Sequence, residues 1–295
     1  MLFKAIGIGE VLWDMLPEGK QLGGAPTNFA VHIRQLATTK IDSHIISCIG
    51  DDAFGQEIRT HLQHQKINCE FLSIEPDHPT GRVDIALNKT GSPTYTINQP
   101  VAWDFIPDTA IELARQSSVV CFGSLAQRNV VSRTSIHRFL DNTPDDCLRV
   151  FDINLRQHYY NRNVIEASLQ QANILKINTE ELKIVAELLQ LKGNEQQLLQ
   201  SICTRFKLRL GILTRGSKGS LLIGSKSMHL HPGKAVQVID TVGAGDAFTA
   251  AVAIGLLKQF DLDYINDCAN RVAAFVCSHK GATPTLNQKL SRLFD

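Results

Sequence analysis

The chain has 295 residues, 43% hydrophobic and 20% charged, with 30 Lys and Arg against 29 Asp and Glu for a formal net charge of +1. This balance excludes wholesale disorder, and it supplies no net field to favour nucleic acid or an anionic membrane, so neither is expected as a partner. Seven scattered cysteines, odd in number and never in C-x-x-C spacing, argue against a disulfide framework or a zinc knuckle and fit a reducing cytoplasm.

Along the chain, short β-branched apolar runs alternate with longer helical patterns. The opening MLFKAIGIGEVLWDML reads as neither signal peptide nor anchor, because its apolar run is short and acids follow soon after. FKAIGIG predicts a buried strand, NFAVHIRQLA a helix, HIISCIG a second strand and AFGQEIRTHLQHQ a second helix. SVVCFGS, CLRVFDIN, ANILKIN and LRLGILTRG predict four further strands, with helices between them near 132–140, 161–171, 179–191 and 195–206. A further strand is expected to end near Asp240. Strands separated by helices predict crossover units: an α/β domain with a mostly parallel central sheet and helices on both faces.

Two stretches break this rhythm, at approximately 10–24 and 80–106. The second alternates, turns at Thr90-Gly91-Ser92-Pro93 and alternates again, which predicts a β-hairpin. A small β lid is expected there, set into one larger α/β body. Its edges would cover a ligand or pair with a second subunit to make a homodimer.

Chemistry concentrates at both ends of the chain. In VQVIDTVGAGDAFTAAVAIGLL a Gly243-Ala244-Gly245 turn leads into a small-residue helix at Asp246. First-turn amides of a helix are unpaired and carry the positive end of its dipole, so they gather negative charge. A carboxylate beside such amides suits phosphoryl transfer to a hydroxyl, with the acid as base and the amides holding charge on the phosphoryl oxygens. A plain N-cap role for Asp246 fits this stretch equally well. Near the other end, GGAPTN (23–28) offers two glycines and the donor and acceptors of Asn28, or a simple loop and cap. Asp14, after the first strand, suits paired sugar hydroxyls or solvent. Gly7-Ile8-Gly9 lacks the third glycine of a dinucleotide fingerprint, and the segment from Gly219 to Ser227 has one residue too many for a P-loop. His61 with His64, and His229 with His231, lack a nearby third metal ligand.

Together these stretches resemble the ribokinase-like (PfkB) sugar kinases. GGAPTN and DTVGAGDAF are similar to that family's paired signatures. DINLR (152–156), the N-x-x-E stretch 178–181, TRGSKG (214–219) and HKGATPT (279–285) follow in the family's order. The resemblance implies roles position by position. Asp246 would be the base, with Gly243, Ala244 and Gly245 as the anion hole. Asp14, Gly24 and Asn28 would meet the sugar. Asn178 and Glu181 would organise the region of Mg²⁺ and phosphate, largely through water. Thr214, Gly216 and Gly219 would receive ATP, with Asn270 on the adenine side. Arg156 would reach substrate or phosphate charge, or merely bridge strands. The family often binds a monovalent cation, here K⁺, for which Asp240 would give a carboxylate, Val242, Val276, His279 and Gly281 their carbonyls, and Thr285 a hydroxyl.

The resemblance is greatest to fructokinases, which SLAQR (124–128) also resembles, so fructose is the first expectation for the sugar. Gln99 stands where some fructokinases carry arginine, and Asp84, Asn98 and Trp103 join it as candidate lid contacts. 2-Keto-3-deoxygluconate and ribose are the alternatives, with adenosine ranked lower. Two other classes are weighed against a kinase. A nicotinamide-dependent dehydrogenase needs the missing glycine fingerprint, and a non-catalytic sugar-binding protein would be expected to lose Asp246 or the Gly-Ala-Gly amides.

Overall fold

The computed structural model describes residues 2–16, 19–37, 40–87, 93–225 and 227–295. The first half runs β1 (Phe3–Ile8), β2 (Leu12–Leu16), β3 (Gly19–Gly23), α1 (Ala25–Leu36), β4 (Ile41–Gly50), α2 (Ala53–His64), β5 (Leu72–Glu75), β6 (Arg82–Leu87), β7 (Pro93–Ile97), α3 (Ile111–Ala114), β8 (Val119–Phe122) and α4 (Val130–Asp141). The second half runs β9 (Leu148–Asp152), α5 (Arg162–Gln171), β10 (Ile174–Asn178), α6 (Thr179–Leu189), α7 (Glu195–Arg205), β11 (Leu210–Thr214), β12 (Ser220–Gly224), β13 (Met228–His231), α8 (Ala244–Leu257), α9 (Leu262–Cys277) and α10 (Gln288–Ser291).

Nine strands form one sheet in the order β13-β12-β11-β10-β9-β8-β1-β4-β5. From β11 to β5 every pairing is parallel, and β12 and β13 add an antiparallel edge. The parallel strands read as nearly unbroken apolar runs because both faces are covered. Helices α4 to α7 pack one face through Ile136, Phe139, Ile165, Leu182, Val185 and Ile202. Helices α1, α8 and α9 pack the other through Phe29, Ile33, Ala250, Ile254, Ile265 and Val272. Each large side chain so buried contributes about 1.5–3 kcal/mol. Helix α8, whose residues from Ala247 to Gly255 are all buried, is built mostly of small and β-branched side chains that let it lie between α1 and α9. Among the described residues no helix is long and apolar enough to cross a membrane.

Strand order reverses direction between β1 and β8. In parallel α/β sheets, such a switch opens a crevice beyond the carboxyl ends of the two strands. The residues that follow β1, β8, β9, β10 and β11 therefore converge on one rim of the sheet. Over this rim stands a second sheet, β3-β2-β6-β7, in which β2 pairs parallel to β6 and the other pairings are antiparallel. This is the small β element expected from the two irregular stretches. The predicted turn at 90–92 lies outside the described residues.

Two expectations need correction. Residues 101–106 do not belong to the small sheet. They turn back into the core, where Val101, Ala102, Trp103 and Ile106 are at most 1% exposed. Nor does a strand lead into Asp240. Val236, Val238 and Ile239 alternate suitably, but they are exposed and have no neighbouring strand to pair with. The backbone there is instead tied to the end of α9, with the Ile239 and Asp240 amides donating to the Cys277 carbonyl at 2.8 and 3.2 Å.

Candidate active site

The N-terminus of α1 and the N-terminus of α8 meet at the crevice. Asn28 Nδ2 donates to Asp246 Oδ2 at 2.8 Å, across 218 residues of sequence. Gly243 caps α8 in the left-handed region (φ 76°), and a side chain there would run into the Ala282 carbonyl. Glycine is thus required by both conformation and space. Ala282 is held from the other side by the buried His32, whose Nε2 lies 2.9 Å from its carbonyl oxygen. Burial lowers the His32 pKa to about 4, so the ring is neutral and donates this bond. Asp246 lies in the first turn of α8, where backbone amides lack partners within the helix.

The site's charges are arranged around that carboxylate. Burial, then Asp152, push the Asp246 carboxyl up to about 6, against the opposing pull of Lys176, Asn28 and Arg156. Arg156 is exposed and also lowers the pKa values of Asp14 and Glu10, so one guanidinium faces three acids. Asp14, on β2, lies over Gly23, whose missing side chain leaves room for the carboxylate. Burial raises the Asp14 pKa to about 6. Gly24 caps α1 at φ 106°. Gln99 is exposed and lines an open cavity of about 420 Å³ with Thr96, Ile97, Asn98, Gln157 and Tyr159.

Of the other lid candidates, Asn98 Nδ2 donates to Asp84 Oδ2 at 3.0 Å, so these two pair with each other. Trp103 is corrected: its ring is wholly buried and stacks under the Arg128 guanidinium, 3.9 Å from the ring centre, out of reach of a ligand in the crevice.

Further along the rim, Asn178 and Glu181 form a capping box. Asn178 Oδ1 accepts from the Glu181 amide, and Glu181 Oε2 accepts from the Asn178 amide, both at 2.9 Å. Glu181 Oε1 accepts from the Leu155 amide, so this acid also ties the DINLR loop to α6. Thr214 ends β11, and Gly216 (φ 56°) and Gly219 (φ 79°) shape the turn after it. Asn270 is buried, and its amide donates to Ser220 Oγ (2.8 Å), Asn266 O (2.8 Å) and Asn266 Oδ1 (3.0 Å), which engages its donors inside the protein. The adenine-side expectation for Asn270 therefore loses its donors.

The expected cation ligands gather around Asp240. Its Oδ1 accepts from the Val242 amide and its Oδ2 from the Gly281 amide, both at 3.0 Å. Val276 O accepts from the His279 amide, and the His279 ring packs on Phe275. Thr285 is exposed. Among the described residues no group of three or more His, Cys, Asp or Glu could hold a metal, so a cation here would rest chiefly on carbonyl oxygens.

A model of the pfkB family of carbohydrate kinases matches residues 18–289. The chain belongs to that family. It is 28% identical to the fructokinase of Escherichia coli over 297 residues, covering 95% of this chain and 94% of the relative. It is 30% identical to a sugar kinase of Pyrococcus horikoshii over 299 residues, covering 94% and 91%. The fructokinase of Vibrio cholerae, solved with fructose, ADP and calcium ion bound, superposes with a TM-score of 0.81 at 26% identity, covering 98% of both chains. The Pyrococcus kinase, solved with ATP, gives a TM-score of 0.82 at 27% identity, covering 99% and 100%. As a pfkB carbohydrate kinase the chain is a phosphotransferase acting on an alcohol group.

Several residues that build the crevice were not singled out from sequence. Glu10 is 1% exposed; its Oε1 accepts from the Ala25 amide at 3.2 Å, while its Oε2 has no hydrogen-bond partner among the described residues. Lys176 and Asp152 form a buried ion pair at 2.9 Å. Arg128 is bound to both Asp104 oxygens, at 2.7 and 2.8 Å, and to the Asn98 carbonyl at 2.7 Å. The available signal was a charge inside an apolar run, as in GIGEVL and ILKIN, because such charges are rarely buried unless paired or functional.

Proposed function

We propose that this pfkB kinase transfers the γ-phosphoryl group of ATP to the primary hydroxyl of fructose. The observation that carries the reading is the Asn28–Asp246 hydrogen bond, which joins the sugar-side helix start to the anion-binding helix start. Asp246 is aimed where a hydroxyl proton must leave, and its raised proton affinity suits a base working near neutral pH. The Gly243–Gly245 turn presents first-turn amides to the phosphoryl oxygens, a placement worth about 3–4 kcal/mol per donor by analogy with oxyanion holes. Asp14, Gly24, Asn28 and Arg156 surround the sugar, and the small sheet covers it from Gln99's side to exclude water. Thr214, Gly216 and Gly219 border the nucleotide.

Mg²⁺ travels with the ATP phosphates and neutralises charge there. Asn178 and Glu181 border that region, and because both Glu181 oxygens already accept backbone amides, the fit is through water. K⁺ would lie beside Asp240 and the 276–285 loop. Support for fructose comes from the fructokinase relatives and the fructose-bound Vibrio neighbour. ATP use is supported by the ATP-bound Pyrococcus kinase.

The test is ADP release from ATP·Mg²⁺ over fructose, ribose, 2-keto-3-deoxygluconate, adenosine and fructose phosphates. Fructose is expected to give the highest kcat/KM, and another sugar exceeding it overturns the fructose reading. Asp246→Asn should lower kcat at least about a hundredfold with sugar binding nearly retained. Near wild-type turnover in that variant overturns the base.

A further inference from the structure

Beneath the first turn of α8 lies a buried charge pair that the proposed chemistry has not yet used. Lys176 Nζ, on β10, donates to Asp152 Oδ1, on β9, at 2.9 Å; the two side chains are 8% and 2% exposed. Thr249 Oγ1 stands 3.0 Å from Asp152 Oδ2 and 2.9 Å from the Gly245 carbonyl, and its single hydrogen goes to one of them. A Cβ placed on Gly245 would be 2.8 Å from Lys176 Nζ, so the ammonium lies against the backbone of the second glycine in the turn.

Stability alone does not explain the pair. Desolvating two charges costs about as much as their attraction returns, and well-packed apolar replacements are often as stable or more so. The position of the pair does explain it. Asn28 meets Asp246 from α1, Arg156 faces it from the loop after β9, and Glu10 faces the site from beyond β1. Lys176 and Asp152 complete this ring from the sheet side, with Glu181 of α6 near Lys176 and the Cys121 thiol of β8 within reach of the same charges.

We propose that Lys176 and Asp152 are positioning residues for phosphoryl transfer, two opposed charges behind the first turn of α8 that act on Asp246 and steady the Gly245 backbone. Asp152 strengthens the hold of Asp246 on a proton, so the base is strong enough to take one from a sugar hydroxyl. Lys176 weakens that hold, so the carboxylate form is available at neutral pH, and it adds positive charge behind the amides that face the phosphoryl group. Neither residue touches substrate; both act through α8. The inference rests on the reading of Asp246 as the base.

The two charges make predictions of opposite sign, which a merely structural role does not. The measurement is a pH titration of the Asp246 carboxyl by ¹³C NMR, in protein labelled at aspartate Cγ and assigned with Asp246→Asn. Asp152→Asn leaves Lys176 unopposed and should lower the Asp246 midpoint by about one pH unit, the scale of a charge within ~4–6 Å. Lys176→Met leaves Asp152 unopposed and should raise it. The double variant Lys176→Met/Asp152→Asn removes both buried charges, and its midpoint should fall above that of Asp152→Asn. This comparison holds the test open if Lys176→Met fails to fold. Shifts in the same direction in the two single variants, a change under about 0.3 unit in either, or a double variant at or below Asp152→Asn overturns the proposal. The titration needs no sugar and no turnover. An Asp246→Asn enzyme that keeps its rate therefore defeats the base reading separately, whatever the midpoints show.

Discussion

Glu10 is buried behind the start of α1, and replacing it with glutamine should change how stability depends on pH. In the folded chain burial raises its pKa from 4.5 to about 7, with only partial relief from the Ala25 amide and Arg156. The unfolded chain releases the same proton near the ordinary value. Between these two pH values the native state binds more protons than the unfolded state, so the contribution is fully present below about 4.5 and is lost as pH rises through 7. A difference of about 2.5 units at roughly 1.4 kcal/mol each comes to about 3 kcal/mol. Glu10→Gln keeps an acceptor for the Ala25 amide and carries no charge to bury. Asp14 and Asp246 are raised in the same sense, so the wild-type curve alone does not isolate Glu10; the difference between the two proteins does. Urea unfolding at pH 4.5, 6 and 8 should show the variant gaining on wild type by about 3 kcal/mol across that range. Parallel curves would refute the reasoning and place the Glu10 carboxyl in contact with water.

Arg128→Met should cost about 3–5 kcal/mol, because Asp104 would be left buried without its cation; the urea midpoint reads this, and Arg128→Met/Asp104→Asn should recover much of the loss. Asp14→Ala should raise KM for fructose more than KM for ATP, and an equal rise in both would remove Asp14 from the sugar side. Activity in K⁺ should exceed that in a large organic cation at equal ionic strength, and Asp240→Ala should abolish the difference. Hydrogen exchange of the described hairpin residues 82–87 and 93–97 should slow when fructose binds, and unchanged exchange with every sugar in the screen would argue against closure.

Most of the large sheet was legible because buried parallel strands write themselves as short apolar runs. FKAIGIG, HIISCIG, SVVCFGS, CLRVFDIN, ANILKIN and LRLGILTRG all became strands, and the predicted helices between them began within three residues of their expected starts. What misled was local pattern without tertiary context. VQVI alternates as a strand should, yet pairing needs a neighbour, and the sheet ends at β13. Trp103 followed the hairpin in sequence and so passed for lid, but the chain turns at Val101 and takes the ring inside. In the site, the two helix starts were legible as a pair only through the family resemblance, since GGAPTN and DTVGAGDAF each also read as a loop or cap, and the structure brings Asn28 to Asp246. Glu10 and Lys176 were not, since each stands in an ordinary strand or turn; Asp152 and Arg128 stand inside DINLR and SLAQR, but their buried ion pairs depend on partners distant in sequence.

The contact between Asn28 and Asp246 also orders events in time. A chain synthesised from its N-terminus places the start of α1 outside the ribosome first, when more than two hundred residues separate Asn28 from Asp246. One edge of β1 waits in the same way: β4 pairs with its other edge early, but β8 begins only at Val119. A growing chain can therefore form β1 to β4 and α1 before the Gly243–Gly245 turn exists. The contact that joins the two helix starts is thus made only after most of the chain has been synthesised.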